Sequence, residues 1–213
     1  MDLPTEPYRQ QSLRWPAAGR HILAHHDDET IVVYQAYRPA IGRYAIEHGC
    51  FGGPFSYRRM SWIKPNFLWM MYRCGWGTKQ GQEVVLGVRL PRTFFDQILA
   101  RAVPSTFQVG GITTRQPWQR AIASSSVRLQ WDPDHDPAGA KLERRAIQLG
   151  LRGEMLEAYG QREVLDIIDM TPFVARQRPR ACGTEFVDLR MPVERVYVPA
   201  DPVTREKLGL DVA

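Results

Sequence analysis

The stretch Met60–Trp76, MSWIKPNFLWMMYRCGW, constrains the fold more than any other, because it puts three tryptophans, a serine, a lysine and an unbroken apolar run into seventeen residues. Proline is tolerated at the first position of a helix and glycine favours its exit. Lys64-Pro65 and Gly75 therefore bracket a helix over Pro65–Cys74. Phe67, Leu68, Trp69, Met70 and Met71 are consecutive, so they point all round that helix, which must then be buried on most sides. Ser61 lies just ahead of it, where polar groups meeting a helix N-terminus suit an anion. A plain core helix with a polar lead-in explains the apolar run equally well. It leaves over the cost of Arg58, Arg59, Ser61, Lys64, Tyr72 and Arg73, which crowd buried aromatics and need partners.

The rest of the composition narrows little. At 213 residues, 44% hydrophobic and 24% charged, the chain suits one globular domain. A net charge of +5, nearly all from arginine, admits an anionic partner without requiring one. Cys50, Cys74 and Cys182 have no CxxC spacing, so neither a disulfide framework nor a zinc site is expected, and the compartment reads as reducing. With no apolar signal core and no apolar run near the roughly 20 residues a membrane helix needs, the expectation is a cytoplasmic protein without membrane contact.

Residues 1–19 are polar and proline-bearing and read as a surface arm anchored by Trp15; residues 20–213 read as one α+β domain with a central mixed or antiparallel sheet and packed helices. Arg20–Ala24 and Ile31–Tyr37 form a hairpin around His25-His26-Asp27-Asp28-Glu29, a cluster too tightly turned to converge on a metal. Pro39–Gly49 is a helix, Glu83–Leu90 a buried strand, Thr93–Ala102 a helix, and Pro104–Trp118 an aperiodic loop suited to covering a site. Ser126–Trp131 is a strand running into Asp132-Pro133-Asp134-His135-Asp136-Pro137. That run resembles a calcium loop until its sixth place, where Pro137 cannot take the φ > 0 required. The spacing instead makes Asp136 the cap of a helix from Pro137 to Leu149. Glu163–Asp169 and Val193–Val198 are late strands, with a polar connection over 173–190 and a short helix or loose end after Pro199.

VVYQAY at Val32–Tyr37, RMSWIKPNFLWMMYRCGW at Arg59–Trp76, QWDP at Gln130–Pro133 and IQLGL at Ile147–Leu151 together resemble the domain of unknown function 4291 family, over about Arg20 to Pro199. That family name implies no activity. The order of elements also resembles the ADP-ribosyltransferase fold: Tyr34-Gln35-Ala36-Tyr37 on an early strand, then a helix, then Ser61-Trp62 leading into the central helix, then Glu194-Arg195-Val196-Tyr197 on a late strand. Gln35 stands where that resemblance calls for histidine, Arg20 or Arg38 would have to supply an arginine, and Gln130-Trp131-Asp132 is similar to a Gln-x-Glu turn with the acid shortened.

The resemblance implies NAD as substrate, no metal, Glu194 or Asp132 as the catalytic acid, and Gln35, Tyr37, Arg38, Ser61, Trp62, Lys64 and Tyr72 in the nucleotide site. A carboxylate near the ribose would stabilise the oxocarbenium-like charge of glycosidic cleavage, and aromatic faces would sandwich nicotinamide while arginine received pyrophosphate. The acceptor of ADP-ribose, whether protein, nucleic acid or small molecule, is open. The main alternative is a non-catalytic nucleic-acid or nucleotide binder using Arg58, Arg59, Lys64, Arg73 and the tryptophans. A hydrolase using Asp132 or Asp169 with His135 is a third reading.

Overall fold

The computed structural model describes residues 3–107, 114–183 and 185–211. Its elements run β1 (Thr5–Pro7), α1 (Tyr8–Ser12), β2 (Gly19–Arg20), β3 (Ile22–His26), β4 (Thr30–Tyr37), α2 (Pro39–His48), β5 (Ser61–Ile63), α3 (Phe67–Cys74), β6 (Val84–Pro91), α4 (Arg92–Arg101) and β7 (Ala102–Pro104). They continue with α5 (Arg115–Ser124), β8 (Val127–His135), β9 (Lys141–Leu151), α6 (Glu154–Glu157), β10 (Asp166–Asp169), α7 (Thr171–Gln177), β11 (Arg190–Pro192), β12 (Arg195–Tyr197) and α8 (Pro202–Leu208).

Two five-stranded sheets carry the α+β architecture. The first has the order β10-β6-β4-β3-β12 and is antiparallel throughout. Side chains alternate across a strand, so Ile22, Ala24, Ile31 and Val33 enter one core while Leu23, Val32 and Tyr34 enter another on the opposite face. This sheet is apolar on both sides, which is why VVLGV in β6 reads as a continuous hydrophobic run. The second sheet, β2-β9-β8-β7 with β5 added on β9, is mixed, since β2 and β7 pair in parallel with β9 and β8.

The central stretch joins the two sheets. β5 pairs with β9 of the second sheet, and the next residue, Lys64, bridges to Tyr34 of β4 in the first: Tyr34 N–H donates to Lys64 O at 2.7 Å and Lys64 N–H to Tyr34 O at 3.2 Å. α3 then starts two residues later than Pro65, because Asn66 is its cap and accepts the Trp69 N–H at 2.6 Å. It ends at Gly75, whose φ of 57° is the left-handed turn that glycine takes without a Cβ penalty. Phe67, Leu68, Trp69, Met70, Met71 and Cys74 are buried, as the unbroken apolar run requires; each large side chain there contributes roughly 1.5–3 kcal/mol.

Four expectations are corrected. The segment Pro137–Leu149 is not a helix capped by Asp136. It is a hairpin turn followed by β9, with Asp136 Oδ1 accepting the Ala140 N–H at 2.8 Å across the turn. Lys141, Leu142, Glu143, Arg144 and Arg145 have good helix propensity, but pairing with β8 overrides it, and Lys141, Glu143 and Arg145 stand exposed at strand spacing.

The N-terminal arm is woven in: β1 pairs with β11, Gln11 is fully buried, and Arg144 donates to Pro16 O at 2.7 Å. Arg144 also forms a buried ion pair with Asp134 at 2.8 Å and lies over the Trp15 ring, so the expected anchor is one of several. The loop expected over 104–118 lies partly outside the described residues, and helix α5 begins at Arg115 within it. The polar connection over 173–190 includes helix α7, a 3-10 turn over Arg178–Ala181, and the start of β11.

Candidate functional site

Beside the Tyr34–Lys64 bridge the two sheets part to leave a cleft of about 540 Å³, within the size range of small-molecule sites. Gln35 and Tyr37 reach it from β4, Ser61 and Trp62 from β5, Arg73 from α3, and Gln130 and Gln148 from the facing positions of β8 and β9. Lys64 and Arg59 complete its cationic side.

A chain of side-chain hydrogen bonds fixes the wall formed by β4 and β5. The buried Tyr159 hydroxyl donates to Gln35 Oε1 at 2.7 Å, which sets the amide so that Nε2 donates to Ser61 Oγ at 2.8 Å and Trp62 O at 3.1 Å. Tyr37 OH lies 2.7 Å from the same Ser61 Oγ. Burial pushes the Tyr37 phenol far above its ordinary value, so it stays a neutral hydroxyl. Behind the opposite wall Asp132 accepts from Gln130 Nε2 at 2.8 Å and from Gln148 Nε2 at 2.7 Å, so its carboxylate is held beside the cleft by two of the lining residues.

Lys64 is the least expected group in chemical terms. It is 4% exposed, and burial, followed by the repulsion of Arg73, pulls its ammonium down to about 8 against the opposing pull of Asp132. Among the described residues it makes no ion pair within 4.0 Å. A buried lysine beside two arginines is costly unless an anion joins them.

Gln35, Tyr37, Ser61, Trp62 and Lys64 thus come together at one cleft, and Asp132 adjoins it through its two glutamines. Arg38 lies on an adjoining hollow that shares Tyr37, Arg59, Met60 and Ser61 with the cleft. Two expected residues are elsewhere. Tyr72 is 45% exposed and stacks on His135 with ring centroids 3.5 Å apart, away from the lining. Glu194 sits under the N-terminus of α3, where its Oε1 accepts the Phe67 N–H at 2.7 Å, and it pairs with neither Arg20 nor Arg38. Burial raises its carboxyl well above the usual range.

Glu194 also lies outside β12, which begins at Arg195, so its burial comes from α3 and the N-terminal segment and not from strand alternation: Gln11 Oε1 accepts the Glu194 N–H at 2.8 Å and Trp15 Nε1 donates to Glu194 O at 3.0 Å. Gln148, Gln82 and Tyr159 were not singled out from the sequence. Pairing QWD of β8 against IQLGL of β9 would have found Gln148, since Gln130 and Gln148 are directly opposite.

No helix among the described residues is long and apolar enough to cross a membrane. No curated protein matches the chain. A family model described as "Domain of unknown function (DUF4291)" matches residues 21–197, from the residue before β3 to the end of β12 and across every residue lining the cleft, and the chain belongs to that family.

Proposed function

We propose that the cleft binds NAD and that the protein is an ADP-ribosyl-transferring enzyme whose catalytic carboxylate is Asp132. The observation that carries this reading is the pairing of two chemistries at one cleft: on one side a buried Lys64, without an ion pair among the described residues, with Arg59 and Arg73, and on the other a carboxylate held just beyond the lining by Gln130 and Gln148.

The cationic side receives the pyrophosphate. The Ser61, Tyr37 and Gln35 array offers hydroxyl and amide groups to a ribose or to the nicotinamide amide. Asp132 stabilises the positive charge that develops on the ribose as the C1′–N bond breaks and its electron pair departs with nicotinamide. A nucleophile of the acceptor then forms the new bond to C1′ and releases its proton to solvent. Glu194 is relieved of the catalytic role, because its one hydrogen-bonded oxygen serves the backbone of α3.

The exposure of Arg59 and Arg73 at the cleft favours a second reading, a nucleotide binder without turnover. Thermal shift and calorimetry with NAD, ADP-ribose and AMP test binding under both readings. Release of nicotinamide separates them.

A further inference from the structure

Behind the cleft, on the other side of the β8 edge, lies a smaller hollow of about 240 Å³, lined in part by Arg20, Trp131, Arg145, Pro104 and Gln130. Gln130 lines the cleft as well, so the two spaces meet at one residue of β8. Edge strand β7 stops at Pro104 opposite Leu129, where Ser105 N–H still donates to Leu129 O at 2.8 Å, and among the described residues no strand pairs with β8 on that side from Gln130 onward.

The hollow is cationic by construction. Arg20 and Arg145 are register partners on the parallel strands β2 and β9, and both line the hollow. Among the described residues no carboxylate lines the hollow, and neither arginine is in an ion pair. Asp211 stands on the far side of Arg20, its Oδ2 accepting the Arg20 backbone N–H at 2.8 Å, while within the hollow the two cations favour an anion that bridges them. The indole of Trp131 forms a further wall, fixed by its Nε1 donating to Leu208 O at 3.1 Å.

The neighbouring surface has the same sign. From Ala102 to Trp131 the chain carries Arg115, Arg120 and Arg128 and no acidic residue. Helix α5, which has no buried residue, is tied to the rim through Trp118 Nε1 and Pro104 O at 2.9 Å.

We infer that this hollow and the exposed face of α5 bind single-stranded nucleic acid, and, resting on the proposed transferase reading, that the strand is the acceptor. Phosphates meet Arg20 and Arg145, a base meets Trp131, and the next nucleotide passes Gln130 into the cleft. There a base or ribose nucleophile forms the bond to C1′ that nicotinamide vacates, with its proton lost to solvent. An acidic peptide satisfies the charges, but its carboxylates offer the indole no aromatic face, whereas every nucleotide brings a base, which is why a nucleic acid fits better.

The test is fluorescence anisotropy with labelled oligo-dT and oligo-U of about 12 nucleotides, on the parent, Arg145→Glu and Arg20→Ala. The expected results are saturable binding to at least one oligomer, weakening by tenfold or more in Arg145→Glu, and a log–log salt slope of about −2 to −3 for three or four phosphate contacts. Melting curves and NAD titrations of the same samples should match the parent. Arg145→Glu binding as tightly as the parent overturns the inference. So does equal competition by polyglutamate, which would make the surface a site for acidic protein. The oligomer readout uses no NAD, so an absence of nicotinamide release defeats the transferase reading alone, and an oligomer affinity indifferent to Arg145 defeats this one alone.

Discussion

Glu194 Oε1 accepts the backbone N–H of Phe67 at 2.7 Å, so a buried carboxyl that looks catalytic in the sequence satisfies the first turn of the central helix. Glu194→Gln keeps an acceptor at that oxygen. The expected outcome is an intact fold with NAD binding and turnover like the parent. The variant should also be the more stable of the two at neutral pH. Below about pH 4.5, the ordinary value for glutamate, folded and unfolded chains both hold the proton. As pH rises past it the unfolded chain ionises while the buried carboxyl does not, and the parent loses stability that the glutamine variant keeps. Denaturant melts of both proteins from pH 4 to 8 check this: the stability difference should widen with pH.

Lys64 is the converse case. Its proton is held less tightly in the folded chain, at about 8 against 10.5. Below pH 8 both states are protonated and the folded state carries the full cost of burying the charge. Between about 8 and 10.5 the unfolded chain keeps a proton that the folded chain has lost, so stability rises with pH across that window. Lys64→Met should therefore stabilise the protein at pH 7 by about 1 to 3 kcal/mol, while weakening nucleotide binding by tenfold or more. In the parent, affinity for AMP should fall as pH passes 8, because only the charged amine attracts phosphate. A less stable Lys64→Met variant with undiminished nucleotide affinity would make the lysine structural.

Asp136 tests the hairpin. Asp136→Ala removes the bond to Ala140 N–H across the β8–β9 turn and should cost about 1 kcal/mol, with no change in nucleotide affinity. Gly139→Ala should cost more, since its φ of 91° lies where a side chain is strained. Urea melts of both variants give the comparison.

The elements that sequence reasoning found were those with a strong local signature. α2, β6, α4 and the buried α3 all announce themselves through period, proline entry or glycine exit. β9 did not, because its first half is made of good helix formers and only its partner, β8, makes it a strand. The cleft was legible in part for the same reason. Gln35, Tyr37, Ser61, Trp62 and Lys64 sit within two short segments, one in each sheet, and the Tyr34–Lys64 bridge joins those segments. Gln148 and Tyr159 enter from later in the chain and depend on long-range register. The surroundings of Glu194 are a helix terminus and the N-terminal segment, neither of which strand alternation can show.

The most direct test of the central claim is the rate of nicotinamide release from NAD by the parent and by Asp132→Asn, measured with a single-stranded oligonucleotide present and absent. Asparagine retains an oxygen for Gln130 or Gln148 but carries no charge, so the fold and NAD affinity should change little while release falls by on the order of a hundredfold or more. Equal release by Asp132→Asn and the parent, or a parent that binds NAD and releases no nicotinamide under either condition, would contradict the account.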